Sequence, residues 1–409
     1  MMRLFSKMRW YRILGLLLLP VLLSGCGYLQ RKPEVSPSTA LKQLRLSRFP
    51  DFKDHHHYRR LIHSISQSLA YLNRVPRDRS FVYGDDTYTA EHLINSLNRF
   101  ADLIAENPSE KELNQFIAQH CVVYQSVGSD WKREVLFTGY YEPTIPGSLA
   151  PSDEFQHPVY ATPSDLIRID LSSFSERYTG QSIIGRYTGS TVVPYYDRHQ
   201  IVQPNSHVSQ SSEILAWIKD PIDLFFLQIQ GSGRILLPDG DFLNLHYHAS
   251  NGHPYRSIGK LLIDEDKIAK ENMSMQAIRA YLNANPEERD RILNQNPSYV
   301  FFKIEPDGPI GYLQEVLTPE RSVATDRRLF PPGALGYIET VRPIANQFGQ
   351  IESWEPFHAF ILNQDTGGAI RGPGRVDLFW GNGPYAELAA GHMQHPGRIY
   401  FIVLKPDDA

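Results

Sequence analysis

Apolar residues first recur at helical spacing. Leu61, Ile62, Ile65 and Leu69 predict a helix over 57–73, and Leu93, Ile94, Leu97, Phe100 and Ile104 predict a second over 90–105. A third is expected after Asn107-Pro108-Ser109, where Glu110 and Glu112 suit a helix N-terminus. From Trp131 the period changes to that of strands. Val135–Tyr141 reads as a strand stopped by Glu142-Pro143, and short β-rich pieces follow through Tyr196. A short amphipathic helix is expected at 215–219, a strand at 224–230 ending in Gly231-Ser232-Gly233, helices at 274–284 and 286–294, and a strand at 298–303. Beyond Asp307-Gly308-Pro309 the pattern returns to strands and turns through Val403, with one short helix at 385–390.

The picture is a β-rich body with helices near its N-terminus. Breaks at Glu142-Pro143 and Asp307–Pro309 would make the middle an insertion between two halves of one domain. The expected division is 41–142 for the first half, 143–309 for the inserted β-rich part and 310–409 for the second half.

The first residues carry an address. Arg3, Lys7, Arg9 and Arg12 precede the apolar run 13–23, which is too short to span a bilayer comfortably and has the form of a secretory signal, residues 1–25. Leu23-Ser24-Gly25-Cys26 resembles the bacterial lipobox, whose cysteine takes lipid and becomes the mature N-terminus. Gly27, where an inner-membrane retention signal would place Asp, favours the outer membrane by the same resemblance. Residues 26–40, with Pro33 and Pro37 among polar neighbours, read as a tether. With Cys26 lipidated, Cys121 has no partner, and it is expected to be a small buried hydrophobe.

Composition narrows the chemistry. A net charge of −4 gives no electrostatic ground for nucleic-acid binding, while 22 Tyr and 20 Phe suit both a β-rich core and the stacking of sugar rings. Asp365-Thr366-Gly367 is the tripeptide of an aspartic-protease half-site, but that chemistry needs two such carboxylates and the chain has one such tripeptide. His246, His248 and His253 could suggest zinc, yet no Glu accompanies them in a metalloenzyme arrangement, so neither metal nor cofactor is expected. Three glycine-flanked segments, 137–143, 228–234 and 251–255, set amides, hydroxyls and tyrosines beside flexible backbone, a surface suited to a sugar polymer. In strand alternation Arg375, Asp377 and Phe379 point one way and Val376, Leu378 and Trp380 the other. An acid flanked by apolar strand residues is a candidate general acid; the bland alternative is a structural Asp bonded to backbone.

Taken in order, FTGYYEP (137–143), FFLQIQGSG (225–233), NGHPYRSIGKLLID (251–264), MSMQAIR (273–279), NPSYVFFK (296–303) and QDTGGAIRGPGRVDLFWGNG (364–383), with Gly391 and Gly397–Tyr400 beyond, resemble the membrane-bound lytic murein transglycosylase A family. The resemblance implies a double-psi β-barrel built from both chain ends, an inserted second β-barrel, and a groove between them. It implies non-hydrolytic cleavage of the β-1,4 bond between N-acetylmuramic acid and N-acetylglucosamine in peptidoglycan, leaving a 1,6-anhydro end. Asp377 would be the single acid/base and Asp365 a structural neighbour; a third aspartate of the family's three-aspartate pattern is left unassigned. Tyr140, Tyr141, Glu142, Gln228, Gln230, Ser232, Asn251 and Tyr255 become expected contacts to the glycan strand. The implied setting is the periplasmic face of the outer membrane, held by the N-terminal lipid, near cell-wall synthesis enzymes. Two other readings stay open: a hydrolase pairing Asp377 with Glu142 or Asp365, and a murein-binding lipoprotein without catalysis.

Overall fold

The computed structural model describes residues 35–408, so the leader and the lipidation candidate Cys26 lie outside the described residues. Mainly β structure is organised as two closed six-stranded barrels. In the first, strands Gln394–Leu404, Leu335–Ala345, Ile351–Asp365, Ser322–Ala324, Arg375–Asn382 and Val135–Glu142 follow one another, and the last pairs back with the first. Two of its pairs are parallel: Ser322–Ala324 with Ile351–Asp365, and Arg375–Asn382 with Val135–Glu142. Closure removes the unpaired edges that an open sheet would expose. Strands Cys121–Ser126 and Leu41–Gln43 continue the sheet from Gln394–Leu404. Ala40 and Leu41 are buried and Pro37–Ala40 forms a helical turn, so the folded body begins inside the stretch expected to be a tether.

The chain leaves this barrel at Glu142 and enters a second sheet at Thr144. Strands Val300–Glu305, Phe242–Ser250, Ser232–Leu236, Thr144–Ser148, Ile214–Ile218 and His157–Tyr160 stand in that order, and a bridge between Ala161 and Phe302 closes the ring. Its core holds Ile145, Val159, Ala216, Ile218, Ile235, Leu245 and Phe302. A separate three-stranded sheet, Ile167–Asp170, Ser182–Tyr187 and Val192–Pro194, flanks it.

The N-terminal helices form at Leu61–Arg74, starting later than the expected residue 57 and leaving Ile62 exposed, and at Ala90–Ala105, where the apolar stripe is buried from Leu93 to Ile104. A third runs over Glu110–His120, opened by a capping box in which Ser109 and Glu112 exchange hydrogen bonds. Cys121 is buried and free, its thiol pushed up to about 12 by burial, with Lys405 opposing the shift. An anchoring ion pair fixes the N-terminal part to the first barrel. Arg321 donates to both oxygens of Asp54 at 2.6 and 2.9 Å, with both side chains 1% exposed.

Two expected elements are corrected. Residues 224–230 are not a strand but the second half of a helix, Pro221–Gln230. Its signals were present: Asp220 caps Ile222 at 2.8 Å, Pro221 occupies the first turn, and Gly231 closes the helix at φ 81°. Period was uninformative because both sides are buried. Leu224 and Leu227 enter the second barrel's core, while Ile222, Phe225 and Phe226 pack against Ile258, Leu262, Ile278 and Leu282. Conversely, the short helix expected at 215–219 is the strand Ile214–Ile218, whose Ala216 and Ile218 face the barrel core at period two.

Candidate active site

The two aspartates of the glycine-rich stretch lie on flanking strands of the first barrel. Ala324 registers with Asp365 on one side and Asp377 on the other, and Asp377 registers in turn with Thr138. Residues in register across a sheet share a face, so Asp365, Ala324, Asp377 and Thr138 form one row. Strand spacing puts the two aspartate backbones about 10 Å apart. Burial follows the expected alternation in part: Val376, Leu378 and Trp380 are in the core and Arg375 and Asp377 are only partly buried, but Phe379, expected on the Asp377 side, is buried as well, packed against Tyr140. Gly139 is required on the core side, where an added Cβ would come within 2.6 Å of Trp380 Nε1.

A small apolar patch of Tyr140, Leu317, Ala324 and Phe379 packs beside the row, with the rings of Tyr140 and Phe379 5.2 Å apart. Low-polarity surroundings disfavour the charged form of a carboxyl. Burial accordingly raises Asp377 to about 6; Thr138 and Arg375 oppose the shift, and Asp365 adds to it. Asp377 Oδ1 is buried without a hydrogen-bond partner. Asp365 is also pushed to about 6 by burial, against hydrogen bonds that favour its charge. Its two oxygens are both engaged, Oδ2 by the Tyr140 hydroxyl at 2.8 Å and Oδ1 by the Tyr312 N–H at 2.9 Å. The face therefore presents one carboxyl with an open oxygen and one that is bonded into the scaffold.

A third aspartate completes the arrangement. Asp326, two residues beyond Ala324, is fully buried. It accepts the Gly372 N–H at 2.8 Å and is paired with Arg328 at 2.7 Å, which holds the loop joining Asp365 to Asp377. Burial pushes Asp326 up, but these partners keep it below its usual value. Thr366 adds a second tie, donating to the Thr325 carbonyl at 2.9 Å. The signal for Asp326 was faint: a buried run of only three strand residues, Ser322–Ala324, followed by an ordinary Thr-Asp-Arg.

The remaining expected contacts divide. Tyr140 faces the row through its bond to Asp365. Tyr141 is buried, and its N–H donates to Gln230 Oε1 at 3.0 Å, linking the first barrel to the Pro221–Gln230 helix. Glu142 is wholly buried at the crossing between barrels. It pairs with Arg234 at 3.0 Å and accepts from Asn382 at 3.3 Å, and burial raises its carboxyl against the pull of Arg234. Gln228 and Ser232 are buried, and Tyr255 is 40% exposed. Gln228 and Gln230 do not share a strand face, since they lie on a helix. Asn251, 1% exposed, is committed to backbone: its amide donates to the carbonyls of Tyr196 and Pro297, and its oxygen accepts from Tyr299 N–H.

The histidines are engaged separately. His246 Nδ1 accepts from Ile310 N–H, His248 Nδ1 meets the Thr162 hydroxyl, and His253 Nε2 meets the Tyr195 carbonyl. Among the described residues no group of three His, Cys, Asp or Glu is placed to hold a metal ion.

Residues 136–303 match the family model described as the MltA specific insert domain, and residues 321–403 match the 3D domain. The membrane-bound lytic murein transglycosylase A of Escherichia coli (strain K12) is 32% identical over 338 residues, covering 82% of this chain and 81% of the relative. Its counterpart in Vibrio cholerae is 33% identical over 283 residues, 68% of each chain. Among solved structures, the membrane-bound lytic murein transglycosylase of Agrobacterium tumefaciens superposes with a TM-score of 0.72 at 27% identity, covering 89% of this chain and 98% of that one. The E. coli MltA complex with chitohexaose gives 0.66 at 26% identity, covering 91% and 97%. With its insert domain, its 3D domain and this likeness along most of its length, the chain belongs to the membrane-bound lytic murein transglycosylase A family.

Proposed function

We propose that this chain is a lytic transglycosylase of peptidoglycan that uses Asp377 as its sole acid/base. The observation carrying the reading is the contrast between the two carboxyls of the row. Asp377 has an oxygen without a partner and is raised to about 6, whereas both oxygens of Asp365 are occupied. Protonated Asp377 gives its proton to the bridging oxygen as the bond from the muramic C1 breaks. The muramic 6-hydroxyl then closes on C1, forming the C1–O6 bond and returning its proton to the Asp377 carboxylate. Attack from within the same sugar replaces the water that a hydrolase would need to activate, so positioning stands in for a second acid. A hydrolase would have to recruit Glu142, which is wholly buried against Arg234, or Asp365, which is fully bonded.

The same proposal keeps residues 41–142 and 310–409 as the catalytic barrel domain and 143–309 as the insert; the strand connectivity supports it. It also places the protein on the periplasmic face of the outer membrane through lipidated Cys26, acting on glycan strands alongside wall-synthesis enzymes.

Mass spectrometry of murein digested by the wild type and by Asp377→Asn tests the reading. Anhydro ends are expected from the wild type, with at least a 100-fold loss in the variant. Incorporation of labelled water at a new reducing end, or full lysis by the variant, would sink it.

A further inference from the structure

Between strands Cys121–Ser126 and Val135–Glu142 the chain leaves the first barrel as a loop, 127–134, that carries Trp131. Trp131 is 87% exposed, more than any other large apolar side chain among the described residues. The chemistry at Asp377 makes no use of it.

The loop is held in shape by its own backbone. Ser129 N–H donates to the Glu134 carbonyl at 3.0 Å, and Asp130 Oδ1 accepts the N–H groups of Lys132 and Glu134 at 3.0 and 3.2 Å. Gly128 turns the chain at φ 65°, where an added Cβ would come within 2.4 Å of the Arg133 carbonyl carbon. The Arg133 guanidinium donates to Gln125 Oε1 at 3.1 Å, an amide partner that leaves its charge uncompensated. Lys132 is exposed, its ammonium 5.5 Å from the Trp131 ring centroid. An uncovered indole thus stands out from the surface with two cations beside it.

The N-terminal chain joins the body at the foot of this loop. The Ala40 carbonyl accepts from Val127 N–H at 3.0 Å, and Leu41 registers with Ser126. Cys26 precedes Ser36 by ten residues, a covalent reach of about 35 Å at most. A chain lipidated at Cys26 is therefore kept close to a bilayer, and the element next to its point of attachment is the one that presents the indole.

Tryptophan settles at the headgroup level of a bilayer, with its ring among apolar groups and its N–H toward water, and neighbouring Lys and Arg add attraction to anionic lipid. A glycan strand, by contrast, is gripped in concave sites, and this ring protrudes. We propose that the 127–134 loop is a second membrane contact, with Trp131 seated in the lipid interface and Lys132 and Arg133 directed to anionic headgroups. The proposal rests on the reading of Cys26 as a lipid anchor.

Tryptophan fluorescence of the full-length lipidated protein tests it, in vesicles of brominated phosphatidylethanolamine and phosphatidylglycerol. The wild type should be quenched, more by bromines near the glycerol than by bromines near the chain ends. Trp131→Phe, at an exposed position, should lose most of that quenching and keep wild-type thermal stability and murein lysis. Reversal of both cations, Lys132→Glu with Arg133→Glu, should reduce the quenching where phosphatidylglycerol is present. A wild type that stays on the vesicles unquenched, or a Trp131→Phe variant quenched as strongly as the wild type, overturns the contact while lipid anchoring stands. Murein sacculi that shift Trp131 emission where vesicles do not would also overturn it, making the loop a wall contact. A protein that leaves the vesicles, with an unmodified Cys26 by mass spectrometry, removes the anchor reading and the proposal with it.

Discussion

Asp365 and Asp377 stand in register with the same residue, Ala324, from the two strands that flank it. One sheet row thus carries both acids, and their hydrogen-bond partners differ. Asp365 is bonded by Tyr140 and Tyr312, while Asp377 keeps Oδ1 open.

Asp377→Asn is expected to stabilise the protein at neutral pH while abolishing turnover. The folded-state value, about 6, lies above the ordinary aspartate value of 3.8. The protonated carboxyl's contribution is therefore fully present below about 3.8 and is lost as pH rises through 6. Above that, the wild type carries a buried charge worth up to about 3 kcal/mol against the fold, and asparagine removes it. Thermal unfolding at pH 4 and pH 8 checks this: the variant's Tm should exceed the wild type's at pH 8 and nearly match it at pH 4.

A second expectation concerns rate. Because the acid must hold its proton to begin catalysis, kcat/KM should fall as pH rises past about 6. Thr138 favours the ionised form of Asp377 and Asp365 disfavours it. Thr138→Val should move that limb to higher pH, and Asp365→Asn should move it lower. Shifts in one common direction would contradict the assignment of these neighbours.

Tyr140→Phe removes the donor at Asp365 Oδ2 and leaves a buried oxygen unpaired, a loss of about 1–3 kcal/mol. Turnover should fall less than in Asp377→Asn, since the Asp377 carboxyl itself is retained. Denaturant unfolding beside a murein lysis assay separates the two effects; a variant as stable as the wild type would refute the bond's role.

Asp54→Ala strands the buried Arg321 guanidinium and should cost about 3–5 kcal/mol. Burial pushes the Asp54 carboxyl up, but Arg321 and backbone N–H groups of Phe360 and Tyr58 hold it below its usual value overall. Its folded value being depressed, its contribution is present above the unfolded value of about 3.9 and is lost as pH falls through the folded one. Unfolding profiles of the wild type and variant should accordingly converge in acid.

Much of the arrangement was legible along the chain. Alternation across 375–380 separated Asp377 from the core strand residues because a strand's period of two needs no tertiary information. The strands change barrels after Glu142 and again between Glu305 and Ser322, and the amphipathic helices appeared from their stripes. Other features depended on neighbours distant in sequence. Leu224-Phe-Phe-Leu is apolar on every side, so its period carried no helix signal; the local caps at Asp220 and Gly231 and the packing of its two faces into separate cores make it a helix. Asn251 reads as a polar turn residue, and only the fold brings Tyr196, Pro297 and Tyr299 around its amide. Asp326 gains its importance from Gly372, 46 residues away.

The sequence by itself determined the family and the β-rich class, since these rest on local pattern and ordered motifs. Which aspartate keeps an open oxygen was decided by tertiary structure alone. Tyr140 reaches Asp365 across 225 residues of chain and Tyr312 across 53, and no local pattern records where such long-range donors arrive.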